Sequence, residues 1–185
     1  KRNIFMSKVL IISSSLRAKS NSDLIAKQIQ IGALDKGHDV ELLSLKGKKI
    51  NYCIGCFSCA STGKCVFKDD VADILAKVKE AESIVFVSPI YYYEMSGQMK
   101  TLIDRMNPLY GGNNAFKHIY FASTATDDEP STPERAIFGL KGFVACFDGV
   151  KFEDSLFLGG NTDPEEIGNK PEQLKEAYEF GKKII

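Results

Sequence analysis

The sequence has no charge of either sign to spare, since 24 Lys and Arg are balanced by 24 Asp and Glu. A zero balance removes the electrostatic case for nucleic acid or an anionic membrane as the main partner. Long hydrophobic runs are missing as well. Runs such as Val9–Ile12 and Ile84–Val87 fall far short of the roughly 20 apolar residues that a spanning helix needs. No basic leader followed by an apolar region opens the chain, so the expected compartment is the cytoplasm. The chain also lacks a low-complexity linker, an internal repeat and any triad-like constellation of nucleophile and base. His38 and His118 stand alone, without a second ligand or base nearby, and are read as structural.

What is present is an ordinary soluble composition, 44% hydrophobic and 26% charged over 185 residues, which suits one domain over 1–185 with a single sizeable core. Lys1–Phe5 precede Met6 and are set outside the fold as an added or upstream segment. Lys8–Ser13 reads as a strand with apolar residues on both faces, as a central parallel strand requires. Leu24, Ile25, Ile29 and Ala33 then recur at helical spacing up to Gly37, and His38–Leu43 gives a second strand. A helix opens at Asp69-Asp70, followed by a strand over Ser83–Ser88 and a helix capped by Ser96. Lys117–Ala122 is the fourth strand, Pro133 opens a helix to about Gly149, Phe152–Leu158 is the fifth strand, and Pro171 opens the final helix. Such alternation implies a parallel sheet with helices on both faces, and ligands in these sheets sit where the strand order reverses.

The loops after strands one, three and four are therefore the places to search. Ser13–Ser22 precedes the first helix, whose N-terminus offers free N–H groups and a partial positive charge to an anion. Ser15, Ser20 and Ser22 add hydroxyls, Asn21 an amide and Arg17 a charge. The same residues also serve a plain capping loop. The fingerprints GxGxxG and GxxxxGK[ST] are absent, so a serine-rich cradle suits the terminal phosphate of a mononucleotide better. The second loop carries Pro89, Ile90, Tyr91, Tyr92 and Tyr93. It offers flat stacking area and backbone polar groups of the kind an isoalloxazine ring takes, although tyrosines also pack helices on sheets. Ser123 and Thr124 begin a third loop that closes over the same site.

Two motifs carry a resemblance. The first loop is similar to GSxRxxSxT or GSPRxxGNT through Ser15, Arg17, Asn21 and Ser22, with Ser14 and Ser20 where glycine is frequent and Leu16 where proline is. The second matches SPxYxxxxSGxxKxxxDR through Ser88, Pro89, Tyr91, Ser96, Gly97, Lys100, Asp104 and Arg105. Both resemble the NADPH-dependent FMN reductase family of flavodoxin-like proteins, and the likeness runs from about Lys8 to the last helix. It implies an α/β, flavodoxin-like three-layer sandwich with a five-stranded parallel sheet in the order 2-1-3-4-5. It further implies FMN with its phosphate in the first loop and its ring on the second, NAD(P)H as cosubstrate, and a homodimer or homotetramer. Asp104 and Arg105 are assigned to helix packing or subunit contact.

Four of the five cysteines lie between Cys53 and Cys65, within an insertion at about 45–68, and Cys146 is expected in the core. Cys53, Cys56, Cys59 and Cys65 give C-x2-C-x2-C-x5-C, which lets a short peptide wrap a cubane. The spacing resembles iron–sulfur flavoproteins, which pass electrons between a 4Fe–4S cluster and FMN. A structural zinc, empty reduced thiols and an oxidative disulfide are the alternatives. The functional expectation is an oxidoreductase moving hydride through flavin N5 to a small-molecule or ferredoxin-like acceptor, with no catalytic side chain of its own. A flavodoxin-type carrier, a quinone or azo-dye reductase and a flavin-free regulator are the rival readings.

Overall fold

The structure is a computed structural model and describes residues 6–185, so the Lys1–Phe5 segment lies outside the described residues. Five parallel strands form the sheet: β1 Lys8–Ser13, β2 Asp39–Ser44, β3 Ser83–Tyr91, β5 His118–Thr124 and β6 Lys151–Leu158. Their order is β2-β1-β3-β5-β6, and a two-residue strand, β4 Glu94–Met95, pairs antiparallel with the end of β3. Setting β4 aside, the parallel strands follow the expected order, and the reversal lies between β1 and β3.

The helices are α1 Asn21–Asp35, α2 Ser58–Thr62, α3 Val71–Glu80, α4 Gly97–Asp104, α5 Glu134–Val144 and α6 Pro171–Gly181. Strand alternation distributes them between two faces. Leu10, Ile12, Ile84, Phe86, Ile119 and Phe121 point to the layer of α3, α4 and α5. Val9, Ile11, Val85, Val87, Tyr120 and Ala122 point to α1 and α6. Each of the helices other than the short α2 answers with buried residues on one face, as α3 does with Val71, Ile74, Leu75 and Val78. Full burial of such a side chain contributes about 1.5–3 kcal/mol, so Ile74→Asp would break this layer. The α1–α6 contact is close enough that a methyl group on Gly32 would collide with the Tyr178 carbonyl.

Three elements depart from expectation. β3 runs on to Tyr91 and β5 to Thr124, because Pro89 and Thr124 still pair in register; Ser123 and Thr124 are strand residues, not loop. A one-turn helix, α2, forms inside the cysteine segment. α5 stops at Val144, so Cys146 falls in the following turn and is exposed instead of core. Val144 and the half-buried Phe147 fill the space beneath that turn. No helix among the described residues is long and apolar enough to cross a membrane.

Candidate functional site

β1 ends at Ser13, and Ser20 caps α1 by accepting the Asp23 N–H at 3.3 Å. The turn between them bends at Lys19, whose φ of 55° lies in the left-handed region. This brings Ser15, Ser20 and Ser22, all buried, around the open N-terminus of α1. Arg17 stays exposed at the rim, where Nη1 donates to the Thr162 carbonyl at 2.6 Å. The Asn21 side chain is turned to bracing: Nδ2 donates to the Asp163 carbonyl at 2.9 Å, and Oδ1 accepts the Ile167 N–H at 3.1 Å.

The second loop is a two-residue hairpin between β3 and β4, with Tyr91 paired to Glu94. Tyr92 and Tyr93 both have positive φ, 49° and 67°, the geometry of a type I′ turn that Asn-Gly adopts without strain. The tyrosine rings stand in solvent, Tyr92 being 99% exposed. Arg135 of α5 lies over the Tyr93 ring at 5.8 Å. Beneath the hairpin, buried serines tie the first two loops together. The Ser96 N–H donates to Ser88 Oγ at 2.9 Å, and Ser96 Oγ lies 2.8 Å from Ser14 Oγ.

These loops enclose a cavity of about 350 Å³ at the C-terminal ends of β1, β3 and β5. Ser15, Arg17, Ser20, Asn21 and Ser22 line one end of it, and Pro89, Ile90 and Tyr91–Tyr93 line another part, with Thr124 also in the wall. Every residue expected to touch the ring or phosphate is there except Ser123. Alternation along β5 turns Ser123 to the face opposite Thr124, and its buried Oγ has no hydrogen-bond partner.

Six further residues complete the wall: Ala125, Thr126, Asp127 and Thr132 from the rest of the third loop, and Asn161 and Thr162 from the chain after β6, which the sequence reading did not include. Asn161 Nδ2 donates to the Leu158 and Gly159 carbonyls, both at 2.9 Å, which folds the chain after β6 back over the cavity. Glu166 fixes the same stretch by accepting the Thr162 and Asp163 N–H groups at 2.7 and 3.0 Å. With Lys170 and these two N–H groups donating to it, its carboxyl falls from its ordinary 4.5 to about 2. The signal available in sequence was Gly159-Gly160-Asn161 directly after an apolar strand, a turn at the end of the sheet where ligands gather.

The cysteine segment forms a separate recess of about 140 Å³ that Cys53, Cys56, Cys59 and Cys65 all line. Gly55, Phe57 and Gly63 have positive φ and coil the chain around it. Cys53 and Cys56 are exposed, while Cys59 and Cys65 are half-buried. The neighbouring Ser58 backbone N–H and hydroxyl favour the thiolate and hold the Cys56 thiol below its ordinary value. Asn107 Nδ2 donates to Cys59 Sγ at 2.9 Å. Among the described residues, no three Cys, His, Asp or Glu side chains are gathered as a bound metal ion would hold them.

The two histidines lie at the N-terminal ends of β2 and β5, opposite the cavity, where His38 Nε2 hydrogen-bonds with the Ile184 carbonyl and His118 Nδ1 with Glu153.

Comparison with known proteins adds to this geometry. The profile of NADPH-dependent FMN reductases matches residues 7–159. An iron–sulfur flavoprotein of Methanocaldococcus jannaschii is 42% identical over 183 residues, covering 96% of this chain and 95% of that protein. Another from Archaeoglobus fulgidus is 34% identical over 150 residues, which cover 81% of this chain and 66% of the relative. Among solved structures, an NAD(P)H:quinone oxidoreductase from Methanothermobacter marburgensis superposes with a TM-score of 0.75 at 17% identity, covering 96% of this chain and 95% of that one. At that identity the likeness speaks for the fold alone.

Proposed function

The chain belongs to the NADPH-dependent FMN reductase family, in its iron–sulfur flavoprotein branch, and from that premise we propose that it is an oxidoreductase working through one bound FMN. The observation that carries this reading is that an anion-favouring helix N-terminus and a tyrosine hairpin line one cavity. Its donor set fits the group. The open N–H groups of α1 with Ser15, Ser20, Ser22 and Arg17 suit a phosphate. Pro89, Ile90 and the tyrosines give a ring apolar area together with backbone donors and acceptors.

FMN, when bound, supplies hydride acceptance at N5 and electron transfer in one- or two-electron steps. The protein's part is to hold and shield it. The Ser14–Ser96–Ser88 links keep the phosphate loop and the ring loop at a fixed separation. The Asn161–Glu166 bracing holds the loop after β6 against the cavity. The exposed rings of Tyr91 to Tyr93 leave one side of the site open to NAD(P)H and to a small-molecule or ferredoxin-like acceptor. A homodimer or homotetramer belongs to the proposal, supported by the exposed Tyr110 and Phe138 near α4 and α5.

The cysteine recess fits a 4Fe–4S cluster by the chemistry of its donors: four thiols on one recess, with the Asn107 amide supplied to the Cys59 sulfur from outside the segment. Cys53, Cys56, Cys59 and Cys65 would hold it, and it would let electrons leave one at a time. The carrier reading draws on the same recess, since half-exposed cysteines near the surface suit exchange with a protein partner.

Anaerobically purified protein tests both readings. We expect stoichiometric FMN uptake, bleaching of the flavin band by NADPH or NADH, and about four irons per chain. Failure to take up micromolar FMN would end the redox assignment. Bleaching by neither nicotinamide, with fast exchange with reduced ferredoxin, would favour the carrier.

A further inference from the structure

Two side chains at the end of α4 reach across to the cysteine segment, and neither belongs to its motif. Asn107 begins a single 3-10 turn, Asn107–Leu109, and its Nδ2 donates to Cys59 Sγ at 2.9 Å. Its backbone is held on both sides by core residues, Met106 at 1% and Leu109 at 5% exposure, and Pro108 restricts the turn. Arg105 is buried, and its guanidinium holds both ends of the cysteine segment through the Asn51 carbonyl and the Asp69 carboxylate. Its Nε is buried with no hydrogen-bond partner. Among the described residues, the one carboxylate on the recess wall is Asp104, and it is paired with Lys100 at 2.6 Å.

We propose that Asn107 is a positioning and tuning residue for the cluster recess, its amide N–H acting on the Cys59 sulfur to raise the reduction potential there. The inference rests on the reading that the four cysteines hold a 4Fe–4S cluster. A ligating thiolate has no proton to give, so only a donor such as Nδ2 satisfies it. Adding an electron makes the cluster and its sulfurs more negative, which strengthens every N–H donation to them. The reduced form therefore gains more than the oxidised form, and the potential rises. Because the turn is anchored in the core, the donor is already in place before any ligand binds.

The test compares anaerobically purified wild type with Asn107→Leu and Asn107→Gln, measuring iron and FMN content and then the cluster midpoint by redox titration followed by EPR. We expect Asn107→Leu to keep its FMN and its flavin potential. Its cluster should be about tenfold harder to reduce, a shift of roughly 59 mV for one electron. Asn107→Gln, which retains the amide, should recover part of the shift. An iron-loaded Asn107→Leu with an unmoved cluster midpoint overturns the proposal and leaves the cluster reading intact. Should Asn107→Leu lose iron, retention by Asn107→Gln supports the donor role, whereas equal loss in both overturns it in favour of simple packing. Wild type without iron overturns the cluster reading and the inference together.

Discussion

Arg105 and Asp69 form a forked ion pair inside the protein, with Nη1 donating to Oδ2 at 2.8 Å and Nη2 to Oδ1 at 3.1 Å. Neither side chain is more than 1% exposed. Arg105 Nη1 also donates to the Asn51 carbonyl at 2.7 Å, and Asn51 returns two donations to Asp69 at 2.9 Å. Both stems of the cysteine segment are thus pinned on one guanidinium, with the Phe67 ring 4.9 Å from it. Burial alone would push the Asp69 carboxyl up. The hydrogen bonds from Arg105 and Asn51 outweigh it and hold the group well below the usual carboxylate range. Arg105 was assigned to helix packing or a subunit contact from its motif, and its observed work is to close this loop.

Removing one partner of a buried pair strands the other charge, which costs about 3–5 kcal/mol, while replacing both is often close to neutral. Arg105→Leu should therefore lose about that much stability in urea denaturation, and the Arg105→Leu/Asp69→Leu double variant should recover most of it. The single variant should also become open to protease between residues 51 and 69. A loss below about 1 kcal/mol would mean that the pair does not anchor the segment.

The acid limb of stability follows from Glu166. Its folded carboxyl lies at about 2, against an ordinary 4.5. A depressed group stabilises the fold above its unfolded value, and that contribution fades as pH falls from about 4.5 to 2. Glu166→Gln should be less stable than wild type at pH 7, and the gap should close across that window. Denaturant midpoints measured between pH 7 and 2.5 check this. A gap independent of pH would show that the shift is not the source. FMN affinity should fall in the same variant, because Thr162 and Asp163 lose their tether beside the cavity.

Arg17 offers a test of which end of the cavity takes the phosphate. A charge-assisted hydrogen bond contributes about 1.5–3 kcal/mol when shielded, and at this exposed rim the lower end applies. Arg17→Ala should weaken FMN about tenfold, equivalent to 1.4 kcal/mol, and leave riboflavin affinity unchanged. Equal weakening of both ligands would show that Arg17 acts through its bond to Thr162 and not on a phosphate.

The sheet was legible because its strands are short apolar runs set between polar loops. The first two loops were legible because they sit at the strand ends where the order reverses. What escaped were relationships that depend on register or on distant partners. Ser123 looks like its neighbour Thr124 until pairing extends β5 past it and alternation turns it away. Cys146 reads as core in an apolar run, yet α5 ends two residues before it. Asn161 carries no periodicity, and its role arises only when Gly159 and Gly160 fold the chain back. Arg105 and Asn107 act on a segment 36 to 54 residues upstream, and no local pattern announces that contact.

The Tyr92–Tyr93 turn sets stability against binding, and Tyr92 separates the two. Both residues are in the left-handed region, where a side chain with a Cβ costs about 1–2 kcal/mol. Glycine removes that strain, but its extra freedom in the unfolded chain takes back about 0.4–1 kcal/mol. Tyr92 is 99% exposed, so it has almost no packing to lose in the free protein. Tyr92→Gly should therefore stabilise flavin-free protein by about 0.5–1 kcal/mol, a Tm rise of roughly 1–4 °C at this chain length. If the ring is kept there to cover the isoalloxazine, the same variant should bind FMN about 2- to 13-fold more weakly, the span of a 0.5–1.5 kcal/mol aromatic contact. Calorimetry without flavin and a fluorescence titration with it read the two effects separately. A variant more stable and equally tight would mean that the strained turn serves something other than the flavin. One less stable would mean that the tyrosine ring packs in solution in a way that outweighs its backbone.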